Sequence, residues 1–307
     1  MAELIKFGTD GWRGIIAEDF TFDNVRACAQ GVANYLTDSG LAAKGLLIGY
    51  DTRFASEHFA AASAEVAAAS GIKVYLCSKP TPTQVISYGV LAQKMGGAII
   101  ITASHNPGQY NGFKYKSELG TSAAPQIIAE LEKRIHQALR QGKVNRMPLA
   151  EGLKTGRVQY LDLAPAYSQQ IARLVDLEKL RRAGLKIAID SMYGAGIGYF
   201  QMLLHGGNTK LSAIHQERNP LFPGLRPEPI DINLKELSRL VRRSKASVGL
   251  ATDGDSDRLG VVDETGSFLN PHQIFALLAL YLLETRQQRG AIVKTVTCSR
   301  MLYRLGE

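Results

Sequence analysis

Six short runs rich in apolar and β-branched residues, at 46–50, 73–77, 98–102, 186–190, 247–251 and 291–296, punctuate the chain at intervals that helices fill. Runs of that length and composition fit strands buried inside a sheet. Between them lie helix-like stretches. Residues 54–70 are alanine-rich and stop at Gly71, and residues 123–141 carry apolar side chains at helical spacing before Gly142. Glycine ends a helix there because it enters a left-handed turn without strain. The alternation predicts an α/β fold with largely parallel sheets.

With 307 residues the chain exceeds the size at which a single core stops growing, so two or three domains are expected. A polar stretch at 142–156, with Pro148 and two glycines, interrupts the pattern before a new helix and strand series begins. A second break is expected just after Arg258, where a loop rich in glycine and aspartate passes into an apolar run at 259–263. These signals divide the chain into 1–148, 149–258 and 259–307. The last piece holds only a strand, a helix from about His272, another strand and the start of a helix at Ser299. It is too small to cover both faces of a sheet.

Composition excludes little. Apolar residues make up 45% and charged residues 21%, the balance of an ordinary globular protein. No basic stretch with an apolar run opens the chain, and the longest apolar stretch, near 274–283, is too short to span a bilayer. Three widely spaced cysteines, Cys28, Cys77 and Cys298, fit reduced thiols and a cytoplasmic location. The net charge of +8 is spread along the sequence without aromatic interleaving, which argues against a nucleic-acid surface and leaves a basic pocket for a small anion, or a solvated surface, as explanations.

Four segments carry chemistry. The run at 98–102 leads into Ala103-Ser104-His105-Asn106-Pro107, which places a serine hydroxyl at the C-terminal end of a strand, where α/β sheets bind ligands. By itself the segment reads as a turn. It lacks the flanking glycines of an acyl-hydrolase serine, so the hydroxyl needs another means of activation. The second segment, Thr252-Asp253-Gly254-Asp255-Ser256-Asp257-Arg258, puts three carboxylates on alternating residues. In an extended segment they fall on one side, and three such charges call for a cation, with a hard ion such as magnesium suited to all-oxygen ligands. A calcium loop of the EF-hand type is excluded by Arg258 at the position that needs glycine and by strand-like flanks. Arg258 can steer an anion toward the acidic cluster.

The third segment is Asn111-Gly112-Phe113-Lys114, where the glycine is expected to turn the backbone toward the serine loop and the lysine to have its pKa lowered for acid–base work. The fourth, Phe7-Gly8-Thr9-Asp10-Gly11-Trp12-Arg13-Gly14, offers glycine-freed backbone amides and Arg13 to an anion.

In this order, together with Gly49-Tyr50-Asp51-Thr52-Arg53, Pro80-Thr81-Pro82-Thr83 and Pro227-Glu228-Pro229, the segments resemble the α-D-phosphohexomutase superfamily, most closely its bacterial phosphoglucomutase/phosphomannomutase branch. The resemblance implies two α/β mixed-sheet domains and the beginning of a third. It implies that Ser104 carries a covalent phosphate and that Asp253, Asp255 and Asp257, with an oxygen on Ser104, hold one Mg2+. Arg13, His105, Asn106 and Arg258 then surround the transferring phosphate, and Lys114 is the general acid or base. The implied reaction moves phosphate between O1 and O6 of a hexose phosphate through a hexose bisphosphate. Phe113 is more like the glucose and mannose enzymes than the phosphoglucosamine branch. A sugar-reading loop of the G-E-x-S-G type and a terminal phosphate-binding loop would lie beyond Glu307. The expectation is a chemical half-site with little unaided turnover, or else a non-catalytic sugar-phosphate binding module.

Overall fold

The computed structural model describes residues 5–8, 10–142 and 144–306. A six-stranded sheet is formed by β1 (Trp12–Ile15), β2 (Leu46–Tyr50), β3 (Val74–Cys77), β4 (Ala98–Ile101), β5 (Tyr110–Lys116) and β6 (Val158–Leu161), in the spatial order β1-β5-β4-β2-β3-β6. β6, β3, β2 and β4 run parallel, while β5 and β1 complete one edge antiparallel. Every residue of β2 and β4 is buried. That two-sided burial explains why their sequences are continuous apolar runs rather than alternating ones.

Helices cover both faces. The first four are α1 (Phe22–Asp38), α2 (Ser56–Ala69), α3 (Thr83–Ala92) and α4 (Pro125–Gln141). Thr21 caps α1 by accepting from Asn24 N, and α4 stops at left-handed Gly142 as its sequence requires. Leu46, Leu47 and Ile48 join Ile99 and Ile101 in one continuous core, all fully buried. Each such side chain contributes about 1.5–3 kcal/mol relative to exposure.

A second sheet holds β7 (Lys186–Asp190), β8 (Lys210–Ile214), β9 (Val248–Thr252), β10 (Leu259–Val262) and β11 (Phe268–Leu269), in the order β11-β10-β9-β7-β8. Its centre is parallel and its β9–β10 edge antiparallel. The α/β mixed-sheet architecture is the one expected.

The boundaries differ from those expected at 148 and 258. The helix Leu149–Lys154 packs on α2, and β6 pairs with β3, so residues 149–161 belong with the first sheet. β10 and β11 lie past Arg258 yet pair within the second sheet. Polar composition marks where the chain reaches the surface, not where a sheet ends.

The strand expected at 291–296 does not form. A strand needs a partner, and this segment has none among the described residues; Val293 and Val296 are 87% and 98% exposed. The helix Pro271–Leu280 before it has a complete capping box, Asn270 Oδ1 accepting from His272 N at 2.9 Å and Gln273 Oε1 from Asn270 N at 3.0 Å. Among the described residues no helix is long and apolar enough to cross a membrane.

Candidate active site

Ser104 stands where β4 leaves the first sheet. Thr102 N still pairs with Gly112 O at 2.9 Å, and Thr102 Oγ1 turns back to accept from Ser104 N at 2.9 Å. Ser104 adopts φ +53°, a left-handed backbone that costs a non-glycine residue on the order of 1 kcal/mol and concentrates at functional sites. The residue is 2% exposed. Its hydroxyl donates to Asp253 Oδ2 at 2.9 Å and lies 3.4 Å from His105 Nδ1.

Asp253, Asp255 and Asp257 arrive from the second sheet on the loop between β9 and β10. Contrary to expectation, the loop is a turn rather than an extended segment: Ser256 N bonds Asp253 O at 3.0 Å and Ser256 has φ +63°. The turn still converges the carboxylates, each offering an oxygen within 4.8 Å of the others. Asp253 Oδ1 accepts from Arg258 N at 3.1 Å, and Asp255 Oδ2 accepts from Thr83 Oγ1 at 2.7 Å and Lys114 Nζ at 2.9 Å.

Asp255 Oδ1 is buried and has no hydrogen-bond partner among the described residues. Burial, followed by repulsion from Asp255 and Asp257, pushes the Asp253 carboxyl well above the usual carboxylate range. Burial pushes Asp255 the same way, but Lys114 and the hydrogen bond from Thr83 together outweigh it and hold that carboxyl below the usual range. An orphaned buried oxygen within a strained all-oxygen cluster fits a hard divalent cation.

Lys114, on β5, is 1% exposed. Its Nζ lies 2.7 Å from Asp10 Oδ2, 2.9 Å from Asp255 Oδ2 and 3.5 Å from Asp257 Oδ2. Burial works against the ammonium, yet the three carboxylates prevail and raise its pKa above the ordinary lysine value. The expected lowering is therefore reversed: the carboxylates gathered around Nζ outweigh desolvation. Gly112 is not a turn either. It sits inside β5, where an added Cβ would lie 2.4 Å from Thr102 O and 2.9 Å from Trp12 O, so glycine allows close strand packing.

The remaining expected residues ring the same place. Arg13 Nη1 donates to Asn106 Oδ1 at 2.7 Å. Glu228 Oε1 lies 3.3 Å from Arg258 Nη1 and 3.9 Å from His105 Nε2. Burial, with Arg258 next, depresses the His105 pKa and favours the neutral imidazole. Thus Ser104, His105, Asn106, Arg13, Lys114, Arg258 and the three aspartates all converge. Thr9 lies outside the described residues.

Sequence reasoning missed Asp10, Thr83 and Glu228 as site members, although all three lie in quoted motifs. Their side chains act through partners more than 25 residues away. Gly254 was missed too: a Cβ there would lie 2.4 Å from Ser104 O, so the two loops meet only because this residue has no side chain.

Sequence models of two parts of one protein family match this chain: phosphoglucomutase/phosphomannomutase alpha/beta/alpha domain I over residues 4–141 and domain II over residues 165–266. A solved structure from Thermus thermophilus, provisionally assigned as a phosphomannomutase, superposes with a TM-score of 0.89 at 36% identity, covering 100% of this chain and 67% of that one. A phosphoglucomutase of Komagataeibacter xylinus is 28% identical over 99% of this chain and 59% of its own length. A phosphoglucosamine mutase of Caldicellulosiruptor bescii is 30% identical over 97% and 64%. The chain thus spans about three-fifths of the length of the curated relatives it matches. Two matched domains, an overall fold shared across the full chain and a serine set against three aspartates together make this protein a member of the phosphoglucomutase/phosphomannomutase family.

Proposed function

We propose that this site transfers a phosphoryl group between Ser104 and a hexose phosphate, as a phosphohexomutase of the phosphoglucomutase/phosphomannomutase type does when it exchanges phosphate between O1 and O6 through a hexose bisphosphate. One observation carries the reading: a buried serine hydroxyl from one sheet lies 2.9 Å from the three-carboxylate loop of another. Cations surround that meeting point. Such a site does little covalent chemistry beyond the serine, so positioning and charge neutralisation supply the rate.

In this reading Ser104 is phosphorylated at rest. When its phosphoryl group passes to a sugar hydroxyl, the P–Oγ bond breaks, a P–O bond to the sugar forms, and the hydroxyl proton ends on Ser104 Oγ. Arg13, His105, Asn106 and Arg258 hold the phosphates. Lys114, kept protonated by Asp10, Asp255 and Asp257, relays the hydroxyl proton as the general acid, giving one to Ser104 Oγ as it takes one from the sugar hydroxyl. Asp253, Asp255 and Asp257 would hold Mg2+ together with an oxygen on Ser104, and the bound ion would lower the electrostatic barrier between two anions. Three unpaired cysteines, Cys28, Cys77 and Cys298, suit a cytoplasmic setting.

Glucose and mannose phosphates are the preferred substrates in this reading, following Phe113. Glucosamine phosphate is a second reading, favoured by relatives of that name at 30% identity. A coupled assay supplied with each hexose 1-phosphate, Mg2+ and a trace of bisphosphate discriminates them. The reading expects a phosphate adduct on Ser104 that Ser104→Ala abolishes. Absence of any adduct on the wild-type chain would overturn the reading in favour of a non-catalytic binding module.

A further inference from the structure

Arg53 follows β2 and is completely buried beneath the serine loop. Its Nη1 donates to Pro107 O at 2.8 Å and Tyr110 O at 3.0 Å, and its Nη2 to Ser104 O at 2.7 Å and Asn106 O at 2.6 Å. Four carbonyls of one loop therefore converge on one guanidinium. Nε donates to Asp51 Oδ2 at 3.1 Å, and the same carboxylate oxygen accepts from Thr102 Oγ1, which in turn accepts from Ser104 N. The loop is gripped from below by the guanidinium and behind by this relay.

The second sheet's connections complete the arrangement. The Phe222 ring lies 5.1 Å from the Arg53 guanidinium carbon. Arg218 reaches across to the backbone on either side of it, donating to Thr52 O and Arg53 O at 3.1 Å each, and pairs with Glu57 at 3.0 and 2.6 Å. A planar fork with five donors is what this pattern needs; an ammonium has three, in tetrahedral array.

We propose that Arg53, itself set in place by Arg218, is the positioning residue for the phosphoryl-carrying serine. It touches no reacting atom. Its fork fixes the carbonyls of Ser104, Asn106, Pro107 and Tyr110, so that the serine keeps its left-handed backbone and aims Oγ at Asp253. The catalytic consequence rests on the phosphoryl-transfer reading above; the grip on the loop does not.

The test is Arg53→Lys, which keeps the charge and loses the fork. Circular dichroism and melting check the fold, amide hydrogen exchange reads the loop at 104–110, and intact mass follows phosphoryl uptake from a hexose 1,6-bisphosphate over a range of concentrations. Loop exchange should quicken about tenfold while β2 and β4 stay protected. The maximal uptake rate should fall about a hundredfold, well beyond any change in half-saturating bisphosphate. Wild-type loop exchange with uptake within about threefold of wild type overturns the proposal. If the wild-type chain takes up no phosphate, the phosphoryl-transfer reading fails, while loop exchange still decides the positioning claim. Should Arg53→Lys not fold, Arg218→Met, at a partly exposed residue, must quicken the same loop amides; unchanged exchange there overturns the proposal.

Discussion

The two loops that meet in the site are built alike and finished differently. Each follows a parallel strand, β4 or β9, and each turns on a left-handed serine, Ser104 at φ +53° and Ser256 at φ +63°. The serine loop is satisfied by the protein itself, with a buried guanidinium on four of its carbonyls. The aspartate loop is not: its carboxylates repel, and Asp255 Oδ1 is buried without a partner among the described residues. The fold thus fixes the geometry of the Ser104 hydroxyl in advance and leaves the charge of the aspartate loop unbalanced, a division suited to the proposed phosphoryl transfer, which positioning and electrostatics would govern.

Gly254→Ala attacks the meeting of the loops most directly. The new Cβ would lie 2.4 Å from Ser104 O, so one loop must retreat from the other while both sheets stay folded. Phosphoryl uptake on Ser104 should drop about a hundredfold, because a misplacement of about an ångström costs that much in an oriented transfer. Uptake near the wild-type rate would show that the loops need not touch.

Asp255→Asn tests the unfinished loop. It alters the carboxylate that holds Thr83 and Lys114 and removes one negative charge from the cluster. Mg2+ or Mn2+ affinity measured by calorimetry should weaken at least about tenfold, a loss on the order of 1.4 kcal/mol. Metal affinity unchanged in this variant would place the cation elsewhere.

The smallest effect is expected at the rim. Glu228 is half-buried and draws on the same Arg258 and His105 that the proposed function assigns to the phosphates. Glu228→Gln should free both and tighten hexose-phosphate binding by a few-fold, the scale of a partly exposed ion pair at about 0.2–1 kcal/mol. Weaker binding would mean that Glu228 orients Arg258 instead of competing for it.

Much of this was legible in sequence because it is local. Apolar runs at 46–50 and 186–190 match β2 and β7 residue for residue, since two-sided burial leaves a continuous apolar signature. Ser104 and the aspartates were picked out by their combination and by the family resemblance, since each segment alone reads as a turn. What escaped was non-local. β6 joins the first sheet through pairing with β3, some 80 residues earlier. The protonation of Lys114 depends on Asp10 and Asp255, 104 and 141 residues away. Arg53 reads as one basic residue in a strand-end motif until the carbonyls that it grips are in place. The run at 291–296 shows the converse: β-branched residues favour a strand, but without a neighbour to bond they remain exposed.

In the proposed function the serine loop and the aspartate loop act as one phosphoryl-transfer site. Intact mass and peptide mapping after incubation with a hexose 1,6-bisphosphate, with Mg2+ or with EDTA, test it most directly. A single phosphoryl group on Ser104, acquired with Mg2+, lost in Ser104→Ala and not acquired in EDTA, is the expected result. Phosphate on another residue, or uptake on Ser104 at the same rate in EDTA, would contradict it.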